Sequence, residues 1–252
     1  MKNLKNYRLF VMASVQAMGM LYILFASVVS SGMGFSKPTV NRFHKKLSGK
    51  DNPINALYYV YDSLHLSAVG LSEPAFEYAI KGYSALKMNG KLKNDKTLSI
   101  IDFTKPSSEK RLYVLDMEHL KLLFFTYVAH GRNTGQEYAN NFSNRPESLQ
   151  SSLGFYRTIG TYMGRNGFSM QLEGLESGIN DRATTRAIVM HGASYVSEDF
   201  IKKRGFLGRS YGCPAVPQEM SRPIIERIKN GSCLFIYSNN LNYISSSKFL
   251  NS

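Results

Sequence analysis

At Thr97 the apolar pattern changes period, and that change limits the fold more than any other feature of the chain. From there on the apolar residues come in short runs rich in β-branched and aromatic side chains, separated by turn formers. The runs are Thr97 to Phe103, Arg111 to Asp116, Leu120 to Ala129, Leu153 to Ile159, Phe168 to Leu172, Ala187 to Met190 and Ser232 to Tyr237. Pro106-Ser107-Ser108 separates the first two. Residues 131 to 152 are polar and rich in Asn and Ser, which predicts one long loop of the functional or mobile kind. Residues 217 to 230 read as a helix, with Met220, Ile224, Ile225 and Ile228 on one face. Before the switch, residues 36 to about 95 read as helical. Ser72 is a predicted N-cap with Pro74 in the first turn, and Phe76, Ile80 and Tyr83 follow on one face. The expected fold is mostly β with one late helix packed on it, preceded by a small helical N-terminal extension.

The first thirty residues stand apart. Lys2, Lys5 and Arg8 precede a stretch from Leu9 to Val29 that carries no charge, Gln16 being its most polar member. A run of roughly 20 apolar residues behind a cationic terminus fits a membrane-spanning helix and also a secretory signal. Ser27 to Gly32 supplies small residues for cleavage without a clean Ala-x-Ala site, so a cleaved signal and a retained anchor both stay open. A buried core helix is disfavoured because the run has no polar face. The expectation is export to the periplasm or cell envelope, with membrane contact through the N-terminal apolar segment. The chain divides into residues 1–33 as signal or anchor, 34–96 as helical extension, 97–240 as the mostly β domain and 241–252 as tail.

Composition narrows the function. With 252 residues, 43% hydrophobic, the chain can bury an ordinary core, which excludes global disorder. Two cysteines and five histidines exclude a disulfide framework and a cysteine-rich zinc fold. Neither His-x-x-x-His nor Cys-x-x-Cys spacing occurs, so no metal is expected, and the absence of a Gly-x-Gly-x-x-Gly or P-loop gives no sign of a cofactor. A net charge of +13 suits an anionic partner such as cell-wall polymer, lipid headgroups or nucleic acid. Nucleic acid is set aside because no zinc finger, RNP-type strand or dense basic stripe is present. A solvated basic surface would need no partner at all.

The chemistry concentrates in two places. Ala187-Ile188-Val189-Met190-His191-Gly192 is an apolar strand ending in His-Gly, and Gly208-Arg209-Ser210-Tyr211-Gly212-Cys213-Pro214-Ala215-Val216 follows. A strand-end imidazole is held by the scaffold yet reaches a cleft. A cysteine in a Gly/Pro turn sits where backbone N–H groups converge. A free thiol is only a few per cent thiolate at pH 7, and an imidazole that takes its proton raises that fraction. The histidine needs an acceptor on its other nitrogen, and the oxyanion formed on attack needs backbone donors. A buried thiol and a satisfied strand-end imidazole would show the same spacing. Two cysteines in an exported chain also invite a Cys213–Cys233 disulfide. Ser232-Cys233-Leu234-Phe235-Ile236 reads instead as a buried strand, which makes Cys233 a packed free thiol.

Val189-Met190-His191-Gly192 and Ser210-Tyr211-Gly212-Cys213 resemble the murein L,D-transpeptidase catalytic-domain family, the YkuD-like cysteine transpeptidases of peptidoglycan, whose pattern is a strand ending in His-Gly and then Ser/Thr-His-Gly-Cys. Ser151-Ser152-Leu153-Gly154-Phe155-Tyr156 is a loose form of that family's strand-opening Thr-Pro-x-Gly-x-Phe stretch. The likeness covers roughly residues 97 to 240, and the helical stretch before it looks like the N-terminal extension of one branch. It implies a YkuD-like β-sandwich, no cofactor and peptidoglycan stem peptides as partners. By this resemblance Cys213 attacks the carbonyl of the third stem residue and the terminal D-Ala leaves. His191 is the general base, oriented by the Gly192 carbonyl. The amides of Gly212 and Cys213 hold the oxyanion, and Ser210 and Tyr211 line the site. Ser152 and a second histidine, His130 in Val128-Ala129-His130-Gly131-Arg132, are counted with the substrate-binding residues, although His130 also fits a structural strand-end role.

Two departures bear on specificity. Tyr211 stands where better-known members carry His, and Ala215 stands where they carry an Arg two residues after the cysteine. If that Arg binds a substrate carboxylate, Arg209, Arg132 or Arg182 must replace it. The acyl-enzyme could pass to an amine of another stem or to water, the latter giving a carboxypeptidase or endopeptidase. A catalytically idle wall-binding module is the competing reading from another class.

Overall fold

The computed structural model describes residues 59–251. The uncharged segment Leu9 to Val29 and the helical expectation for residues 36–58 lie outside the described residues. The elements are α1 (Glu73–Met88), β1 (Thr97–Asp102), β2 (Leu112–Asp116), β3 (Lys121–Thr126), β4 (Gly154–Gly164), β5 (Gly167–Gly174), β6 (Val189–Ala193), α2 (Glu198–Arg204), β7 (Ala215–Pro217), α3 (Gln218–Ile228), β8 (Cys233–Tyr237) and α4 (Leu241–Ser246). The fold is mostly β, and the eight strands of the described residues belong to one sheet in the order β3-β2-β1-β8-β4-β5-β6-β7. Neighbours run antiparallel except β1 with β8 and β6 with β7. Just past β3 the Ala129 N–H donates to the Ala215 carbonyl on β7 at 2.8 Å, so the two sheet edges meet and the sheet is nearly closed.

The hydrophobic pattern explains the layering. β1 and β8 are buried at every position, as central strands covered on both faces must be. The predicted α3 face is correct, since Ile224, Ile225 and Ile228 are fully buried and the helix packs on β1, β5, β6 and β7. On α1, Phe76, Ile80 and Tyr83 are buried as the spacing predicts. Gly82 lets that helix close on Phe155, because a Cβ there would lie 2.0 Å from the Phe155 ring. Phe155 in turn stacks on Phe235 with centroids 4.2 Å apart. Ser72 occupies the N-cap position of α1 but its hydroxyl donates to Asp102 Oδ2 at 2.7 Å instead of capping the helix.

Three elements go beyond the sequence pattern. β7 is three residues long, too short for any alternation to show. α2 carries its own signals, a Ser197 side chain accepting from the Phe200 N–H and a left-handed Gly205 at its end, but it buries no residue. α4 lies in the segment expected to be a tail. Strand β6 also starts later and ends later than predicted, so His191 and Gly192 lie within the strand. Ala187, expected to open it, has left-handed backbone at φ +52.

Candidate active site

His191 is held by β6 and its ring is tied down from one side. Nδ1 donates to the Gly192 carbonyl at 2.9 Å. That bond fixes the tautomer and leaves the Nε2 lone pair as the basic position. The residue is only 4% exposed. Burial lowers its pKa below the usual histidine range, partly offset by the Gly192 carbonyl, so the resting ring is neutral at pH 7.

Cys213 reaches the same place from the neighbouring strand. β7 pairs in parallel with β6, and His191 sits opposite Ala215, two residues after the cysteine. His191 and Cys213 both line one cleft of about 640 Å³. Both cysteines are free thiols. Cys213 Sγ accepts from the Val189 N–H at 3.5 Å and donates to the Ala187 carbonyl at 3.7 Å. Among the described residues no hydrogen bond joins the sulfur to the imidazole, and a proton transfer between them would require Sγ to turn from the entry of β6 toward His191. Such contacts commonly close up only with substrate bound. Burial raises the Cys213 pKa, while the Val189 N–H and the charge of Arg186 act against that rise. The resting pair is therefore a neutral thiol beside a neutral imidazole.

The cysteine turn is built by serines. Gly212 has φ +123, and a Cβ there would meet the Gln150 carbonyl at 2.8 Å, so both the conformation and the space demand glycine. Ser210 Oγ donates to the Cys213 carbonyl at 2.6 Å and accepts from the Gly212 N–H at 3.0 Å. Ser151 Oγ donates to the Gly212 carbonyl at 3.1 Å and accepts from the Gly131 N–H at 3.1 Å. One expectation is corrected here: the Gly212 amide is spent on Ser210 and is not free to meet an oxyanion. The N–H groups of Tyr211 and Cys213, by contrast, have no partner among the described residues.

Of the other residues singled out from sequence, Ser210, Tyr211, Arg209 and Arg132 line the cleft. Tyr211 stands at the mouth, 69% exposed. The structure adds Arg204, Tyr195, Phe200 and Phe206 to this lining. Three arginines and no carboxylate line the cleft, and none of the three is in an ion pair among the described residues. Arg204 was not legible because it belongs to α2. Arg182 does not line the cleft; its backbone N–H donates to Asn144 Oδ1 at 3.1 Å.

Two placements are corrected. His130 is fully buried and away from the cleft lining. Its Nδ1 accepts from Arg111 Nη2 at 2.8 Å and its Nε2 donates to the Gly135 carbonyl at 3.2 Å, so both nitrogens are occupied by protein. Burial, with Arg111 adding to it, pushes its pKa down to about 3. It props the cysteine turn through its backbone, whose carbonyl accepts the Ser210 N–H at 3.0 Å. Ser152 is also buried. Its hydroxyl donates to the Ser143 carbonyl at 2.9 Å and accepts from Arg186 at 2.6 Å, and it does not line the cleft. No cluster of three His, Cys, Asp or Glu able to hold a metal occurs among the described residues.

Residues 67–237 match the family model of the L,D-transpeptidase catalytic domain. Among solved structures, the chain is similar to an L,D-transpeptidase from Mycobacterium smegmatis, with 9% identity, 57% of this chain and 59% of that chain covered, and a TM-score of 0.36. It is similar to L,D-transpeptidase 3 from Mycobacterium tuberculosis, with 10% identity over 57% of this chain and 61% of that one, at a TM-score of 0.36. It is also similar to the helical cell shape determining protein Pgp2 from Campylobacter jejuni, with 12% identity over 56% and 47% and a TM-score of 0.37. The chain thus spans about three fifths of the length of the two mycobacterial proteins and about half of the third. No curated protein matches by sequence.

Proposed function

The chain belongs to the L,D-transpeptidase catalytic-domain family, and from that premise we propose that it forms L,D cross-links between peptidoglycan stem peptides through an acyl-enzyme on Cys213. The observation that carries this reading is the pairing of β6 with β7, which sets an oriented, neutral His191 beside the cysteine turn in one cleft. Nε2 of His191 takes the thiol proton as Sγ attacks the carbonyl carbon of the third stem residue. The oxyanion is received by the free amides of Tyr211 and Cys213. A donor of this kind is worth about 3 kcal/mol in the transition state. The C–N bond to the terminal D-Ala then breaks, His191 returns its proton to the leaving amine, and the acyl group stays on sulfur. An amine of a second stem attacks the thioester, loses its proton to His191 and releases the thiol.

Arg132 and Arg209 take over carboxylate recognition from the Arg missing at Ala215, with Arg204 extending the same cationic wall. A guanidinium offers two parallel N–H donors to a carboxylate, which fixes direction as well as charge. A peptidoglycan substrate puts the working protein outside the cytoplasm, in the periplasm or envelope, and suits export by the segment Leu9 to Val29. No helix of the described residues is long and apolar enough to cross a membrane.

The test is intact-mass detection of an acyl-enzyme on a synthetic tetrapeptide stem. The expected species carries the stem less its terminal D-Ala, and it is absent from Cys213→Ala. Unmodified protein after incubation, with active-site thiol intact, would refute the proposal. Muropeptide products then separate transfer from hydrolysis: new dimers that have lost the donor D-Ala mark the transpeptidase, and shortened monomers alone mark a carboxypeptidase.

A further inference from the structure

The cysteine turn rests on a cation that no motif marks. Arg186 lies three residues before β6. Its guanidinium makes four hydrogen bonds into the loop that precedes β4. Nη1 donates to the Ser143 carbonyl at 2.8 Å and to Ser152 Oγ at 2.6 Å, and Nη2 donates to Ser148 Oγ at 3.2 Å and to the Gln150 carbonyl at 2.5 Å. No carboxylate pairs with it among the described residues, although the side chain is half-buried. The loop it grips includes two non-glycine residues with left-handed backbone, Glu147 and Leu149, both at φ +56, a conformation that L residues rarely adopt and that a cross-link must hold. Gln150, one of its acceptors, also presses its carbonyl on Gly212, and a Cβ at Gly212 would lie 3.3 Å from Arg186 Nη2. Ser151, the next loop residue, holds the Gly212 carbonyl.

We infer that Arg186 is a positioning residue for Cys213: it cross-links the loop of residues 143–152 beneath the Gly212-Cys213 turn and leaves an uncompensated positive charge beside the thiol. This inference rests on the reading of Cys213 as the nucleophile. Arg186 cannot bind substrate in this arrangement, because its terminal nitrogens are committed to protein acceptors. Its charge instead favours the thiolate over the thiol, in line with the opposing effect of Arg186 on the burial-raised Cys213 pKa. The other titratable groups around the sulfur are His191 from β6, Tyr195 from the segment after it and Tyr211 from the turn, with Arg132, Arg204 and Arg209 in the lining of the same cleft. His191 is neutral at rest, and Arg186 is the cation whose guanidinium nitrogen lies directly beside Gly212.

The test uses the full chain with Arg186→Gln and Arg186→Lys. Alkylation of Cys213 by iodoacetamide is followed across pH by intact mass, with Cys213→Ala as the blank for the buried Cys233. Arg186→Gln is expected to raise the alkylation midpoint by about one pH unit and to slow the reaction at pH 7 about tenfold. Arg186→Lys keeps the charge and loses the four-bonded fork, so its midpoint stays while kcat on a tetrapeptide donor falls about tenfold. A purely structural role would lower the melting temperature and leave the midpoint of Arg186→Gln unmoved, which overturns the inference. Should Arg186→Gln not fold, wild-type turnover in Arg186→Lys overturns it equally. Wild-type protein that is never alkylated at Cys213 defeats the functional reading itself, whereas normal wild-type alkylation with an unmoved midpoint defeats only the role of Arg186.

Discussion

The Ser210 hydroxyl closes a small ring on the cysteine it precedes, donating to the Cys213 carbonyl at 2.6 Å and taking the Gly212 N–H at 3.0 Å. The two bonds fix the Tyr211–Gly212 and Cys213–Pro214 peptide planes on either side of the Gly212–Cys213 peptide, whose carbonyl Ser151 holds, while the Tyr211 and Cys213 amides have no partner among the described residues. Ser210→Ala removes both bonds and frees the Gly212 amide. The expected outcome is a fall in kcat of about 10²-fold, the size of one lost or misdirected oxyanion donor. The cost in folding stability is about 1–2 kcal/mol. Ser210→Thr keeps the hydroxyl and is expected to retain most activity. Steady-state kinetics with a tetrapeptide donor, alongside thermal melting, checks this; equal activity in Ala and Thr variants would rule the ring out as a support.

The resting pair sets the acid limb of the rate profile. Burial depresses the His191 pKa and raises that of Cys213, so the imidazole becomes available as a base below the usual histidine midpoint and the thiol stays protonated until the base acts. The rate of acyl-enzyme formation is expected to rise with pH through a midpoint under about 6.5 and to stay level through neutrality. The values belong to the coupled pair. A midpoint above 7 would show that His191 is charged at rest, contrary to its surroundings.

His130 predicts acid sensitivity of the fold. Its pKa in the folded protein is about 3 because of burial and Arg111, against about 6.5 when unfolded. Between those values only the unfolded chain binds the proton. The stability it supports is therefore whole above about pH 6.5 and is lost as pH falls through that window, by at most about 1.4 kcal/mol per unit. Urea unfolding at pH 7 and pH 5 is expected to show the loss, and His130→Asn, which cannot be protonated, is expected to show a shallower slope. Equal slopes would mean that the ring is solvated in the native state.

The strand-and-turn skeleton was legible because β1, β8 and the α3 face carry dense apolar patterns that only a buried element explains. His191, Gly192 and Cys213 stood out for a chemical reason, a thiol and an imidazole each flanked by glycine. What stayed hidden depends on contacts distant in sequence. Arg186 looks like any surface arginine until the loop of residues 143–152 folds over it. His130 imitates the His191 pattern, a strand followed by His-Gly, and nothing local reveals that Arg111 meets it from β2's entry. The lost Gly212 amide likewise follows from a serine hydroxyl orientation, which no sequence spacing encodes.

The cationic wall makes a prediction about binding as distinct from chemistry. Arg132 and Arg209 line the cleft with Cys213, and what ties them to the cysteine turn is backbone, the Arg132 N–H donating to the Ser210 carbonyl at 2.8 Å, which a side-chain substitution leaves in place. Replacing either with Gln is expected to raise KM for a donor with a free terminal carboxylate about tenfold, as one charge-assisted hydrogen bond is lost, while kcat changes little. With a donor amidated at that terminus the wild type and the variants should behave alike. A loss confined to kcat would assign these arginines to the reacting atoms instead of to the carboxylate.

Gly154, which opens β4, gives the last prediction, and it concerns the fold. Its φ is +104, and a Cβ would lie 2.3 Å from Glu176 Oε1. That carboxylate is buried and accepts from the Phe155 N–H at 2.7 Å, from the Tyr243 hydroxyl at 3.1 Å and from the Ser247 hydroxyl. It thereby ties the entry of β4 to α4. Burial raises the Glu176 pKa, so the folded state holds its proton more tightly than the unfolded chain, and the stability from this group is greatest at acid pH and lessens as pH rises through the folded pKa. Gly154→Ala meets both the backbone strain and the carboxylate, and is expected to cost more than about 2 kcal/mol. Glu176→Gln keeps the size and removes the charge, and is expected to flatten the pH dependence of melting above the ordinary carboxylate range. A Gly154→Ala protein that melts with the wild type would mean that β4 can enter the sheet by another backbone path, one that does not bring residue 154 against the Glu176 carboxylate.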